Sequence, residues 1–401
     1  MSPKIRVAKR VRGLHYAIRD VLDRARKVEE GGKKVLYLNI GDPVKYDFDT
    51  PDHIKNALNK ASRDGYNWYA PSEGLPELRE AICEKESKIN QVEIQPDDVI
   101  VTDGVSEAIR FVIATLMEPG GEILLPGPTY PPYDSYVRFL GGSPVAYKTL
   151  EVEGWSPDLT DLRDKITDKT RAILLINPNN PTGAVYGEGV VRQVLDVAGE
   201  YHLPVISDEI YDQIIYGKVF KSTASLSKDV PVVGLNGFSK CYLMTGWRLG
   251  YVYLKSESES LVDVREGILK LARIRLSVTN PVQHAGVAAL RGGERHIRKM
   301  VRKLRARRDL CVKRLSRISG LSCTQPKGAF YLFPEIEGVG SRWSDDEAFA
   351  YQLLEDTGIL VVPGSGFGAK GGSGHVRLVF LPPEELLEEA LQKFASFMEA
   401  T

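Results

Sequence analysis

Short apolar runs alternate with longer amphipathic stretches over most of the chain. Seven runs are rich in Val, Ile and Leu, and this near-continuous apolar character predicts strands that are buried on both faces. They lie at residues 99–102, 122–125, 144–147, 172–176, 204–207, 232–235 and 250–254. Because helical patterns separate these runs, we predict an α/β fold with a mostly parallel seven-stranded sheet flanked by helices.

The pattern changes after Pro281. Residues 294–316 predict one long amphipathic helix with apolar residues at approximately helical spacing. These residues are Ile297, Val301, Leu304, Cys311 and Leu315. Eleven Lys and Arg residues between positions 295 and 317 are interpreted as a solvated helix face rather than a nucleic-acid surface.

The length of the chain indicates two domains. A chain of 401 residues is too long for one compact core. We predict a large domain at residues 47–291. Residues 1–46 and 292–401 are predicted to form a smaller α+β domain with an N-terminal arm.

Charge and cysteine content narrow the range of partners. Lys plus Arg and Asp plus Glu both number 53, so no net charge drives binding to nucleic acid or an anionic membrane. The four cysteines form no disulfide framework, and the six histidines are too scattered to predict a metal site. No apolar run is long enough for a membrane span or a secretion signal. We therefore expect a cytoplasmic protein that acts on small molecules without a metal.

Polar clusters follow three of the predicted strands directly. They are NPNNPTG at residues 177–183, DEIY at 208–211 and GFSK at 237–240. In an open α/β sheet, ligands bind at the carboxyl ends of the strands, so the three clusters should share one crevice. Each cluster also has a simpler interpretation, namely a turn, a helix cap and a surface lysine. The order Asn180, Asp208, Lys240 and Arg248 favours a binding site.

Taken together and in this order, the motifs resemble those of the class I and II aminotransferases of the type I pyridoxal-phosphate fold. The resemblance spans nearly the whole chain. Besides the three clusters, it rests on IGDP at 40–43, YAPSEGLPELREAI at 69–82, TDGVSEAI at 102–109, PGPTYPPY at 126–133, MTGWRLGY at 244–251 and HVRL at 375–378. The NGFSK and RIRLS variants and the IGDPVKYDF segment most resemble the alanine aminotransferase branch.

The resemblance implies pyridoxal 5′-phosphate as cofactor and assigns roles around its ring. Lys240 would hold the aldehyde as a Schiff base and then move the substrate proton, because both tasks need an amine. Asp208 would keep the ring nitrogen protonated, so that the ring can accept electrons. Asn180 and Tyr211 correspond to the two donors to the phenolic oxygen. Tyr130 corresponds to the aromatic residue that stacks on the ring.

The resemblance also implies how the phosphate is bound. Gly104, Val105 and Ser106 would open a helix whose free N–H groups and dipole attract the anion. Arg248 would form a charge-assisted pair with the phosphate. Tyr69 corresponds to a tyrosine that reaches this phosphate from the neighbouring subunit. The functional unit is therefore expected to be a homodimer with shared active sites.

One position departs from the family pattern. Many members have Ser or Thr three residues before the lysine, and this chain has Gly237. Ser239, Ser106 or backbone N–H groups alone are the alternatives for completing the phosphate site, and the sequence does not decide among them.

Substrate binding is expected to depend on Arg377, which matches the arginine that binds the α-carboxylate of every amino-acid and 2-oxo-acid substrate. Gly41 would let the backbone approach the substrate closely. Asn180, Tyr16 and Asp42 are further candidates for the substrate pocket.

The identity of the substrate side chain is less constrained. Arg275 lies near the place of a partner-subunit arginine in aspartate-specific relatives, but the alanine branch carries an arginine there as well. Arg275 is a candidate for the distal carboxylate of 2-oxoglutarate. We expect alanine plus 2-oxoglutarate to give pyruvate plus glutamate, with an aspartate or broad-specificity aminotransferase as the alternative.

Other classes of function fit less well. PGSGFG at 363–368 suggests a nucleotide site, but no βαβ unit follows it, and the chain has no G-x-S-x-G elbow of a hydrolase. A non-catalytic regulatory or binding protein on the same fold is the more serious alternative. The presence of Lys240, Asp208 and Arg377 argues against it.

Overall fold

The structure is a computed structural model that describes residues 5–14, 16–217 and 220–401. Its α-helices are α1 (Lys9–Arg12), α2 (Ala17–Asp20), α3 (Leu22–Glu30), α4 (Asp52–Arg63), α5 (Pro76–Lys85), α6 (Gly104–Leu116), α7 (Pro131–Phe139), α8 (Leu159–Asp164), α9 (Glu188–Glu200), α10 (Thr223–Leu226), α11 (Val262–Arg275), α12 (Asn280–Arg291), α13 (Arg295–Leu315), α14 (Asp346–Thr357), α15 (Ala369–Gly372) and α16 (Glu384–Ala400).

The strands are β1 (Leu36–Tyr37), β2 (Val99–Thr102), β3 (Glu122–Gly127), β4 (Ser143–Leu150), β5 (Ser156–Pro157), β6 (Thr170–Ile176), β7 (Val205–Asp208), β8 (Val232–Gly237), β9 (Gly250–Lys255), β10 (Leu321–Ser322), β11 (Tyr331–Leu332), β12 (Glu335–Ile336), β13 (Ile359–Leu360), β14 (Val362–Pro363) and β15 (Val376–Val379). Short 3-10 helices occupy Pro43–Lys45, Pro96–Asp98, Glu151–Glu153, Thr245–Trp247, Glu259–Leu261 and Gly364–Phe367, and a π-helical turn occupies Glu86–Asn90.

The central sheet has the strand order β2-β9-β8-β7-β6-β3-β4-β5. Neighbours from β8 to β4 pair in parallel, whereas β9 runs antiparallel to both β8 and β2. All seven predicted strands are present, so the prediction of a mostly parallel sheet is confirmed. The eighth strand, β5, was not predicted, because two residues paired antiparallel with the end of β4 leave no apolar pattern.

Both faces of the sheet are covered, which explains the near-continuous apolar runs. Successive side chains of a strand point to opposite faces. In β6, Ile173 and Leu175 belong to one buried cluster, while Leu174 and Ile176 belong to the cluster on the other side. Each fully buried aliphatic side chain contributes about 1.5–3 kcal/mol, so the sheet is a rigid base for the groups at its carboxyl edge.

The C-terminal part contains the predicted long helix, α13, within one residue of its expected ends. Its interpretation as a fully solvated basic face is wrong for two residues. Arg307 is buried and binds Asp47 and the carbonyl oxygen of Leu381, and Arg308 is buried beside Asp309. Both arginines satisfy nearby acceptors instead of facing water.

Three small sheets complete the C-terminal part. In one of them, β15 lies between β11 and β14 and carries Arg377. In another, β1 pairs in parallel with β13, which joins the N-terminal segment to this part of the chain. Within the residues that the structure describes, none of the helices has both the length and the apolar character needed to cross a bilayer.

Candidate active site

A cavity of about 490 Å³ opens at the carboxyl ends of β6, β7 and β8. It brings together most of the residues predicted from the sequence. These are Tyr16, Gly41, Asp42, Val105, Ser106, Tyr130, Asn180, Asp208, Tyr211, Ser239, Lys240, Arg248 and Arg377. Tyr16 and Arg377 both line the cavity, although they are more than 300 positions apart in the chain. A larger open groove of about 890 Å³ around His202 lies at the opposite ends of the strands, and none of these residues lines it.

Lys240 lies just beyond the end of β8 with its amine inside the protein. Its Nζ donates a hydrogen bond to the carbonyl oxygen of Gly41, at 2.7 Å. Burial lowers the pKa of the amine to about 8, because a charged ammonium is costly to hold away from water. A Cβ at position 41 would overlap the hydroxyl group of Tyr331, so only glycine fits against this ring. Lys240 is therefore a partly buried amine, of which about a tenth is neutral at pH 7.

Asp208 ends β7 and points into the same cavity. Its Oδ2 accepts a hydrogen bond from the hydroxyl group of Tyr133 at 2.8 Å, and its Oδ1 accepts one from the Ile210 amide at 3.2 Å. Burial raises the pKa of this carboxyl group to about 6. Within the described part of the chain, Asp208 forms no ion pair with Lys, Arg or His. A cation placed beside it would gain strong electrostatic stabilisation in this water-poor environment.

An anion site lies at the start of α6. Gly104 opens the helix with a φ of 69°, and a Cβ there would overlap the Arg248 guanidinium group. Arg248 donates to the carbonyl oxygen of Thr245 at 3.1 Å and lies 3.4 Å from Ser106 Oγ. The guanidinium group has no carboxylate partner among the residues described. Free N–H groups of a helix and an unpaired guanidinium together favour a phosphate-like ligand.

The position that departs from the family pattern has a steric explanation. A Cβ at Gly237 would lie 3.0 Å from the Cα of Gly250 and 3.1 Å from the carbonyl oxygen of Leu249. The antiparallel neighbour β9 thus leaves little room for a hydroxyl-bearing side chain. Ser239 and Ser106 both line the cavity, so each remains a candidate for the missing hydroxyl group.

Arg377 projects from β15 into the cavity and is 1% exposed. Its Nη1 donates to Asn180 Oδ1 at 2.9 Å, and its Nη2 donates to the carbonyl oxygen of Asn39. Its guanidinium carbon lies 4.6 Å from the centre of the Tyr331 ring and 4.8 Å from that of Phe367. The buried Nε has no hydrogen-bond partner. This donor group is held rigidly and retains capacity for an anionic ligand.

Four residues of the site were missed by sequence reasoning. Tyr331 bonds Tyr211 through their hydroxyl groups at 2.7 Å, and Thr245 Oγ1 donates to Asp42 at 2.9 Å. Tyr133 contacts Asp208, and Arg19 lines the cavity. Tyr133 and Thr245 had a signal, because they stand in the PGPTYPPY and MTGWRLGY motifs. Tyr331 lies in an apolar run typical of a core strand, and nothing in the local sequence marks Arg19.

Three predicted residues do not line the cavity of their own chain. Gly104 lies against Arg248 and leaves room for its guanidinium group at the start of α6. Tyr69 is 78% exposed on the surface. Arg275 donates to the carbonyl oxygen of Ser72 at 2.9 Å and forms an ion pair with Glu107 at 3.6 Å.

Comparison with known proteins gives a consistent result. The family Aminotransferase class I and II matches residues 33–394. A solved alanine aminotransferase from Pyrococcus furiosus is 52% identical, covers 99% of this chain and 100% of its own, and superposes with a TM-score of 0.96. The glutamate-pyruvate aminotransferase AlaA of Escherichia coli (strain K12) is 36% identical over 99% of this chain and 98% of its own length. A probable aspartate/prephenate aminotransferase of Aquifex aeolicus (strain VF5) is 36% identical over 94% of each chain.

These matches cover almost all of the sequence, and the fold and the cavity agree with them. The chain therefore belongs to the class I and II aminotransferases and is a pyridoxal-phosphate-dependent transaminase.

Proposed function

We propose that this enzyme transfers the amino group of L-alanine to 2-oxoglutarate, giving pyruvate and glutamate. The proposal is carried by one observation, the convergence of Lys240, Asp208, Arg248 and Arg377 on a single cavity. The names of the Pyrococcus furiosus and Escherichia coli relatives support alanine and pyruvate as substrates.

The residues present suit pyridoxal phosphate, because the cavity offers a partly buried amine together with a buried carboxylate and a guanidinium group that lack ion-pair partners among the described residues. Asp208 would face the ring nitrogen, and Asn180 and Tyr211 the phenolic oxygen. The phosphate would lie against the amides of 104–106 and Arg248, and Tyr130 would cover the ring. When bound, the cofactor supplies an electron-accepting ring that makes the substrate Cα–H acidic.

Lys240 would perform two tasks with the same nitrogen. In the neutral form, its Nζ would serve as the nucleophile that holds the cofactor aldehyde. Once displaced by the substrate amine, the same Nζ would accept the proton from the substrate Cα. The lowered pKa serves both tasks, because a protonated amine can do neither.

Two arginines would set the orientation of the substrate. The Arg377 fork would bind the α-carboxylate, and Asn180 would hold the fork in place through the 2.9 Å hydrogen bond. Arg19 lines the opening of the cavity, and its guanidinium group has no bond or ion pair to any described residue. We therefore propose Arg19, beside the earlier candidate Arg275, for the distal carboxylate of 2-oxoglutarate and glutamate.

The substrate pair is tested by comparing amino donors with 2-oxoglutarate as acceptor. Tyr16 and Tyr130, whose hydroxyl groups lie 3.2 Å apart, narrow the cavity together with Ile18 and favour a small side chain. We expect kcat/KM for alanine to exceed that for aspartate by at least about tenfold, because the aspartate side chain is one methylene shorter than that of glutamate and would leave its carboxylate without the proposed partner Arg19. A clear preference for aspartate would replace the alanine assignment but leave the transaminase assignment intact.

The pH dependence of cofactor capture tests the state of Lys240. With a pKa of about 8, the neutral fraction of the amine rises from about a tenth at pH 7 to about nine tenths at pH 9. The rate at which cofactor-free protein captures pyridoxal phosphate should therefore rise about tenfold over this range and then level off. An ordinary lysine would give about a hundredfold rise with no plateau. Stopped-flow absorbance separates the two profiles.

The two candidates for the distal carboxylate are separated by matched substitutions. Arg19→Ala should raise KM for 2-oxoglutarate about tenfold or more, because a hydrogen bond to a charged group contributes about 1.5–3 kcal/mol. KM for alanine, which has no distal carboxylate, should change little. Arg275→Ala is the comparison variant. If it alone raises KM for 2-oxoglutarate, the distal carboxylate is bound by Arg275, not Arg19.

We also propose that the chain acts as a homodimer in which Tyr69 reaches the partner's phosphate site. Large apolar side chains are exposed beside it, with Trp68 56%, Ile274 81% and Leu276 54% exposed. Asn280 Nδ2 donates to the carbonyl oxygen of Trp68 at 3.1 Å, which links this loop to the start of α12. An exposed apolar patch of this kind is typical of a protein interface. Sedimentation of the purified chain tests the proposal, and a monomer at micromolar concentration would exclude it.

We propose that residues 47–291 form one domain and that residues 1–46 and 292–401 form the other. Two separate sheets support this division, because Lys240 follows β8 of the central sheet and Arg377 lies on β15 of another sheet. Closure of the smaller domain over the substrate would exclude water from the cavity. Structures with and without a bound dicarboxylate would reveal such a movement or its absence.

A further inference from the structure

A buried ionic network lies beneath the cavity, outside the groups already discussed. Lys85 ends α5, and its Nζ contacts Asp212 Oδ2 at 2.5 Å and Glu86 Oε1 at 2.9 Å. Asn90 bonds both carboxylates, and the Tyr251 hydroxyl group donates to Glu86. All five side chains are at most 6% exposed. The π-helical turn places Glu86 and Asn90 on the same side of the chain, facing Lys85 and Asp212.

Asp212 connects this network to two segments of the active site. Asn236 Nδ2 donates to Asp212 Oδ2 at 2.9 Å, and Asn236 Oδ1 accepts a bond from the Gly237 amide at 2.7 Å. The thiol of Cys241 lies 3.6 Å from Asp212 Oδ1. The carboxylate therefore contacts the chain on both sides of Lys240. Asp212 directly follows Tyr211, so the same side chain also holds the segment that contains Tyr211.

The energetics explain why a carboxylate occupies this position. Asp212 Oδ2 receives three N–H donors, from Lys85, Asn90 and Asn236. Neighbouring carboxylates raise the pKa of Lys85 despite its burial, so the amine remains a cation. Removing the carboxylate would leave these buried N–H donors without an acceptor, which is unfavourable away from water. The surrounding chain would shift to find new acceptors.

We propose that Asp212 is a positioning residue, which holds the chain on both sides of Lys240 so that the Lys240 amine stays buried at Gly41. This inference rests on the proposed role of Lys240. Asp212 does not contact the cavity itself and acts only through Asn236, Cys241 and the backbone.

The readout is the pKa of Lys240 in cofactor-free protein. Besides burial, this pKa responds to Asp42, Arg248, Arg377 and Asp208, and substitution of Asp212 leaves all four in place. If the chain around Lys240 becomes more mobile, its amine becomes more exposed to water. The Lys240 pKa then rises toward that of an ordinary lysine. The pH dependence of acetylation of Lys240 by acetic anhydride, followed by peptide mass spectrometry, measures it directly.

We expect Asp212→Ala to raise the Lys240 pKa by about one unit or more and to lower kcat about tenfold with little change in KM for alanine. Asp212→Asn should restore part of the wild-type behaviour, because its amide oxygen can accept up to two of the three N–H groups but no longer carries the charge that pairs with Lys85. Glu209→Ala is the matched control. Glu209 is also a buried acidic side chain, although burial raises its pKa to about 8, and its bonds go to Ser207, Ser222 and Thr223, away from Lys240.

The outcomes distinguish the inference from a purely structural role. If Asp212→Ala and Glu209→Ala both lower the unfolding temperature and neither changes the Lys240 pKa, the inference is wrong. If Asp212→Ala does not fold, Asn236→Ala becomes the test variant. It removes only the hydrogen bonds that link Asp212 to the Gly237 amide. It should raise the Lys240 pKa by a smaller amount, and an unchanged pKa would overturn the inference.

The proposed function is checked separately by borohydride trapping of pyridoxal phosphate on the wild-type protein. A tag on another lysine would reject the role of Lys240 itself. A tag on Lys240 together with an unchanged pKa in the variants would reject only the role of Asp212.

Discussion

Replacing Lys240 by alanine is expected to lower the rate of amino transfer by at least about 10⁴-fold. The expected loss is large because one nitrogen serves as both nucleophile and general base, and general acid–base catalysis alone typically contributes about 10²–10⁴-fold. Of the groups that line the cavity, Lys240 is the only lysine among the described residues. The measurement is a single-turnover reaction of the loaded enzyme with alanine, followed by absorbance.

Two controls separate chemistry from folding in this experiment. Lys240→Arg keeps a positive charge but no neutral amine at working pH, so it should be as inactive as the alanine variant. Added methylamine should restore part of the activity of Lys240→Ala, because a small amine can occupy the vacated volume and accept the Cα proton. More than about 1% residual turnover in Lys240→Ala without added amine would contradict the assignment.

Replacing Asp208 by alanine should reduce kcat about 10²–10³-fold. This is the usual cost of losing one preorganised electrostatic contact in a water-poor site, about 2.7–4 kcal/mol. The unpaired buried carboxylate with a pKa raised to about 6 is the physical basis, since a cationic ring nitrogen would be its natural partner. Steady-state kinetics with alanine and the absorbance of bound cofactor provide the measurement.

The comparison variants for Asp208 separate charge from shape. Asp208→Asn preserves shape without charge and should be nearly as impaired as alanine. Tyr133→Phe leaves the carboxylate in place but removes its 2.8 Å hydrogen bond, so its loss should be closer to tenfold. If Asp208→Asn retained near wild-type turnover, the carboxylate charge would not be what the reaction needs.

Much of the site could be predicted from the sequence because its residues follow strands directly. Asn180, Asp208 and Lys240 each stand a few residues after an apolar run, and the ends of parallel strands meet at one edge. The family motifs then added Arg248 and Arg377, which no strand pattern would place beside them. The structure brings all five to the same cavity.

The remaining groups could not be predicted because their position depends on packing between distant segments. Tyr331 belongs to a buried apolar run, and its hydroxyl group meets Tyr211 only because β11 lies over the cavity. Arg19 lies in the N-terminal segment, which β1 and β13 connect to the C-terminal part. Asp212 stands next to a recognised motif, but its partner Lys85 is 127 positions away.

The sequence by itself determined the sheet, the long helix and the order of the chemical groups, because strand periodicity and residues at strand ends are local properties. Only the tertiary structure decided the partial burial of Lys240, the burial of Asp208 and the network beneath Lys240. It also left Arg248 without a carboxylate partner among the described residues. Burial and pairing depend on residues far apart in the chain, and these set the pKa values on which the chemistry depends.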